Sequence, residues 1–171
     1  SIGEYAFAGC GLNTINLPAN VEEIGEYAFA NGEYDINFNM SSVITDIGSY
    51  AFADYKGEVL EIPNSVLTIG AYAFQNTDCE VFFDENSQLT HLYDLAFANY
   101  EGGSIDIPGS VVYIGNRAFD DSYIESLSFG LGMNLDYIGN YAFRNCYNLA
   151  EIALPQNVNN WGQNVFAYSS M

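Results

Sequence analysis

The side chains that could carry covalent chemistry are few. His91 is the single histidine, and Cys79 lies twelve residues before it. Such a pair would suit a thiolate nucleophile activated by an imidazole base. No third group at a diagnostic spacing orients the imidazole, and a buried cysteine near a surface histidine accounts for the same two residues. The chain holds no Gly-x-Ser-x-Gly elbow, no Walker loop and no Cys/His set at zinc spacing. Its 22 acids bring carboxylates to glycosidase distances by accident alone, so they do not signal glycoside hydrolysis. The residues argue against an enzyme.

Recognition chemistry is better represented. Asp35, Glu61, Glu80, Phe82 and Asp106 are the candidate ligand-binding residues, because an aromatic ring set among polar and acidic groups can anchor a partner. Glu61, Glu80 and Asp106 also have the oxygen donors that Ca²⁺ prefers, but they belong to no calcium-loop motif. No metal and no cofactor is expected. Lys56, Arg117 and Arg144 are the only bases, and the formal net charge is -19. A nucleic-acid binder must neutralise phosphates with Lys and Arg, so that class is excluded. Anionic membrane surfaces are disfavoured for the same reason. Cationic partners are permitted, although solubility through self-repulsion is the plainer consequence of the charge.

The elements that position these residues come from a repeat. The hexapeptide I-G-x-x-A-F occurs at Ile2–Phe7, Ile24–Phe29, Ile47–Phe52, Ile69–Phe74, Ile114–Phe119 and Ile138–Phe143. Looser copies occupy Leu92–Phe97 and Trp161–Phe166. The closing Phe recurs every 22 to 24 residues from Phe7 to Phe166. Between copies lies an apolar-x-apolar pair: Ile15/Leu17, Ile36/Phe38, Leu60/Ile62, Val81/Phe83, Ile105/Ile107, Leu127/Phe129 and Ile152/Leu154. Such alternation predicts a short strand with one buried face. Pro18, Pro63, Pro108 and Pro155 follow alternate pairs and end those strands, since proline gives no ladder hydrogen bond. This makes the unit a double repeat of about 45 residues.

The expected fold is a leucine-rich-repeat solenoid, a right-handed coil of about eight repeats spanning residues 1–171 as one domain. Its strand pairs stack into a parallel ladder on one face. A second apolar pair, such as Val21/Ile24 or Val111/Ile114, lines the next wall. The Ala-Phe step is expected to form one helical or 3-10 turn, with loops completing the other face. The glycine before it either bends the chain or permits close approach. The outward columns read Thr14, Asp35, Val59, Glu80, Ser104, Ser126, Glu151 and Asn16, Asn37, Glu61, Phe82, Asp106, Ser128, Ala153. Neither sets two acids side by side, as a stacked parallel ladder requires.

This pattern, L-x-x-I-x-L-P-x-x-V-x-x-I-G-x-x-A-F over Leu12–Phe29, with Cys10 and Cys146 after their Ala-Phe steps, resembles the BspA-like leucine-rich repeats. Tyr93 departs from it at a glycine position. The resemblance covers the whole chain and implies a segment of a bacterial surface or secreted protein, extracellular or cell-surface in location. It further implies adhesion to a host or matrix protein or a glycan. It brings no catalytic residues. A structural spacer or accessory domain of a larger surface protein is the alternative.

Further expectations concern individual residues. Cys10, Cys79 and Cys146 fall in separate coils, too far apart to bridge, and should remain free thiols. Tyr5, Tyr27, Tyr50, Tyr72 and Tyr141 recur just before Ala-Phe and should form a structural ladder, or else a row on which sugars stack. The segments after Ala-Phe, among them Asn31–Tyr34, Asp54–Gly57 and Asn99–Gly103, vary most and could hold specificity. Asn39-Met40-Ser41 matches a glycosylation sequon. No apolar run approaches the ~20 residues of a membrane helix, and the first residue is Ser1. The chain is expected to be a monomeric segment of a longer protein.

Overall fold

The computed structural model describes residues 1–39, 41–131, 135–152, 154–155 and 157–170. A strand forms at each apolar-x-apolar pair, taking in both members in β5 (Val59–Ile62), β7 (Glu80–Phe83), β9 (Ile105–Ile107) and β11 (Ser126–Phe129) and only the first in β1 (Thr14–Asn16), β3 (Asp35–Asn37) and β13 (Glu151–Ile152). The second apolar wall also forms strands, two residues each: β2 (Glu23–Ile24), β4 (Asp46–Ile47), β6 (Thr68–Ile69), β8 (His91–Leu92), β10 (Tyr113–Ile114), β12 (Tyr137–Ile138) and β14 (Asn160–Trp161). All ladders are parallel, and every pairing joins a strand to its equivalent in the adjacent coil. The result is a β-solenoid.

The two walls differ from expectation in continuity. The wall read as a mere lining is the unbroken one, a seven-stranded sheet from β2 to β14, extended by an Ile2–Ile24 bridge. The wall read as a single ladder is divided into β1-β3, β5-β7 and β9-β11-β13. At the first break Asp35 Oδ1 accepts the Glu58 amide at 3.4 Å. Proline alternation has a geometric counterpart. Leu17 to Ile24, Ile62 to Ile69 and Ile107 to Ile114 each span seven residues, whereas Phe38 to Ile47, Phe83 to Leu92 and Phe129 to Ile138 span nine. Short proline loops and long loops therefore alternate along one edge.

A column of one phenylalanine per coil runs through the core. Phe29, Phe52, Phe74, Phe97, Phe119 and Phe143 are fully buried, with successive rings stacked 4.8 to 5.3 Å apart. Each contributes about 1.5–3 kcal/mol by leaving water. Ala28, Ala51, Ala73, Ala96, Ala118 and Ala142, also fully buried, leave room for the backbones to close together.

The Ala-Phe step is not helical, and no helix occurs among the described residues. A 3-10 turn would direct every amide to the residue three back. Here the amides alternate. Ala28, Ala30 and Gly32 close turns onto Gly25, Tyr27 and Phe29, while Tyr27, Phe29 and Asn31 donate to Ser49, Ala51 and Ala53 of the next coil at 2.8 to 3.1 Å. Two positions per coil are left-handed to permit this. One column holds Tyr5, Tyr27, Tyr50, Tyr72, Leu95, Arg117, Tyr141 and Asn164; four residues on, the other holds Gly9, Asn31, Asp54, Asn76, Asn99, Asp121, Asn145 and Tyr168.

Candidate functional site

The outward residues of the divided wall keep the expected register: Thr14 beside Asp35, Val59 beside Glu80, Glu61 beside Phe82, and Asp106 beside Ser128. Like charges are thereby kept apart. Neighbours hydrogen-bond instead: Asn37 Nδ2 donates to Asn16 at 3.0 Å, Ser126 to Ser104 at 2.8 Å, and the Ser128 hydroxyl to the Asp106 carboxylate. Ala153 lies outside the described residues.

The five candidate residues do not form one cluster. Glu61 and Phe82 are adjacent across β5 and β7, and Phe82 remains 49% exposed. Both line a cavity of about 350 Å³ with Phe38, Pro63, Phe83 and Asp84. Asp106 belongs to a neighbouring cavity of about 580 Å³ floored by Pro108. Glu80 is exposed one column away. Asp35 is half-buried and spends its carboxylate on the Glu58 amide, so it holds backbone. Among the described residues no group of three His, Cys, Asp or Glu side chains is arranged to hold a metal ion, so Glu61, Glu80 and Asp106 do not make a Ca²⁺ cage.

Cys79 is not a poised nucleophile. It is buried, and loss of solvent raises its thiol to about 12, so the thiolate is scarce at neutral pH. His91 sits on the other wall, with Nδ1 2.9 Å from the Thr90 hydroxyl and its ring against Tyr113. All three cysteines are unpaired.

Six copies of the family described as a BspA type leucine-rich repeat region match residues 1–101 and 80–171. The chain belongs to the BspA-type leucine-rich repeat family. This BspA-type solenoid is similar in fold to the leucine-rich repeat protein of T. pallidum (24% identity, TM-score 0.75, 91% of this chain and 75% of that one). It is also similar to a leucine-rich repeat protein from Bacteroides ovatus (23%, 0.65, 94% and 48%) and to the pneumococcal vaccine antigen PcpA (19%, 0.61, 90% and 59%). The chain thus spans about three fifths of the pneumococcal protein and half of the Bacteroides one. No curated protein matches it significantly. No helix among the described residues is long and apolar enough to cross a membrane.

The BspA-type frame also presents aromatic rows elsewhere. Tyr5, Tyr27, Tyr50 and Tyr72 stack face to face at 4.6 to 4.7 Å. Ring faces that cover one another are closed to a sugar, which favours the structural reading of this ladder. Tyr141 stands apart, between Arg117 and Arg144, whose guanidinium carbons lie 5.7 and 5.6 Å from its ring centre. On the continuous wall His91, Tyr113 and Tyr137 stack in series, with Tyr93 alongside. This second row went unnoticed in the sequence, although its signal was there: each member directly precedes, or in Tyr93 directly follows, the second residue of an apolar pair.

Proposed function

We propose that this chain is a non-catalytic binding module of an extracellular or cell-surface protein, one that holds a protein or carbohydrate ligand in adhesion to a host or matrix. The observation that carries this reading is Phe82, a half-exposed aromatic beside Glu61 at the mouth of a cavity on a regular strand face. An aromatic anchor in a concave site with a few charged groups is the usual composition of a recognition patch. Glu80 and Asp106 flank it as a polar rim. Family membership supports the reading as well, since the matching frame is built of repeats that expose long surfaces. The pneumococcal protein of similar fold is a vaccine antigen, which agrees with a surface location. The module acts as a monomer.

The test is binding to arrays of matrix proteins and glycans, with and without Ca²⁺, beside a Phe82→Ala/Glu61→Ala variant. Saturable binding that the variant loses supports the strand face as the site. A folded chain that binds nothing on either array sinks the proposal and leaves a spacer that holds other domains away from a surface.

A further inference from the structure

The two cavities on the divided wall are one feature seen twice. The first lies over Pro63, between Phe38 of one long loop and Phe83-Asp84 of the next. The second lies over Pro108, between Phe83-Asp84 and Leu131. Both share Phe83 and Asp84, so they meet end to end along the stacking direction. Each floor is a short proline loop held down by a serine. Ser65 donates to the Ile44 carbonyl at 2.8 Å, and Ser110 to those of Ser87 and Leu89 at 2.9 and 2.7 Å. The walls are the longer loops, whose shape is fixed in part by Asx turns: Asn39 accepts the Ser41 amide and Asp84 the Asn86 amide. Double-repeat alternation thus cuts a notched trough into one edge of the solenoid.

The period and charge of the trough select an occupant. Successive notches are two coils apart, about 9.6 Å at ordinary parallel strand spacing. A polyproline II chain advances about 9.3 Å in three residues, its full turn, so every third side chain of such a chain points into a notch. Glu61 and Asp84 line the first notch, and Asp84, Glu85 and Asp106 the second, while none of the three bases of the protein lines either. Phe82 and Phe83 offer ring surface to a guanidinium or to proline. We infer that the trough docks an extended, proline-rich basic peptide with Arg or Lys at every third position. The inference rests on the binding-module reading above and names the chemistry of its partner.

The experiment uses a labelled peptide of four Pro-Pro-Arg triplets and follows fluorescence anisotropy against the intact chain. A control peptide carries the same prolines and arginines with Arg at every second position. Expected are saturable binding of the triplet peptide, binding at least tenfold weaker for the control, and a loss of similar size in Asp84→Asn. That substitution keeps the oxygen that accepts the Asn86 amide and removes only charge. Equal binding of both peptides would mean undirected attraction to an acidic surface and would overturn the inference. No peptide binding, with saturable binding to another protein or a glycan on the arrays, overturns it and leaves the module reading intact. No binding in either experiment ends both.

Discussion

The phenolic oxygen of Tyr34 donates to the main-chain carbonyl of Phe7 in the preceding coil, 2.7 Å away. In three other coils the third residue after the core Phe serves this role directly. Thr77 donates to Phe52 at 2.7 Å, the Cys146 thiol to Phe119 at 3.2 Å, and Ser169 to Phe143 at 2.6 Å. The corresponding residue in the coil of Tyr34 is Gly32, which has no side chain to donate, and a Cβ there would lie 2.8 Å from the Tyr34 ring. The tyrosine both fills the gap and supplies the hydrogen bond. Tyr34→Phe should therefore lower stability by about 1 kcal/mol with no change in denaturant slope. An unaltered midpoint in urea would show that the bond contributes nothing net.

A second prediction separates glycines by what surrounds them. A Cβ on Gly48 would sit 2.8 Å from the Ile24 carbonyl oxygen and the Gly25 carbonyl carbon, both main chain, whereas nothing lies within 4 Å of Gly3 or Gly11. Gly48→Ala should destabilise by at least about 1–3 kcal/mol, and Gly3→Ala and Gly11→Ala should change little. Equal thermal shifts for all three variants would contradict close approach as the reason for the repeated glycine.

The coil boundaries, the core Phe column and the outward register of Glu61 and Phe82 were legible because each rests on side-chain period alone. The turn was not. Its left-handed residues include Tyr27 and Tyr50, a residue type that rarely adopts positive φ, so nothing in their chemistry announced it. The companion column of Asn31, Asp54, Asn76 and Asn99 did carry the usual signal, but it lay within segments read as variable loops. The trough was hidden for another reason. It depends on where three loops end relative to one another, which the proline alternation hints at and only stacking reveals.

Asn76 tests the turn geometry. It is left-handed (φ 55), donates to Asp54 at 3.1 Å and accepts from Asn99 at 3.0 Å. Asn76→Ala loses both side-chain bonds and retains a Cβ in a conformation that costs about 1–2 kcal/mol. Asn76→Gly loses the same bonds without that strain. Chemical denaturation should rank the glycine variant above the alanine variant, and the reverse order would refute the assignment of strain.

Alkaline lability should follow from the core. Burial raises the Cys79 thiol from 9.0 to about 12, the Cys146 thiol from 9.0 to about 11 and the Tyr34 phenol from 10.0 to about 12. A raised folded pKa contributes stability that is complete below the unfolded value and is lost as pH climbs toward the folded one. Stability should hold up to about pH 9 and decline from there toward about pH 12. Midpoints measured across that range should fall steadily. A flat profile would show that these groups ionise as readily in the folded chain as in the unfolded one.

The last prediction concerns Asp120, the one buried carboxylate among the described residues that carries a full ion pair. Asp120 is 4% exposed and receives Arg144 through two bonds, from Nε at 2.7 Å and from Nη2 at 2.6 Å. The same Nη2 lies 3.7 Å from Asp121. Removing only the cation strands a desolvated charge, so Arg144→Gln should cost about 3 kcal/mol or more. Asp120→Asn in that background removes the stranded charge and should recover part of the loss, a coupling that a double-mutant cycle reads directly. Tyr141 supplies an internal check, because Arg117 still covers one side of its ring. If the two substitutions were simply additive, the pair would be no more than two independent contacts at the surface.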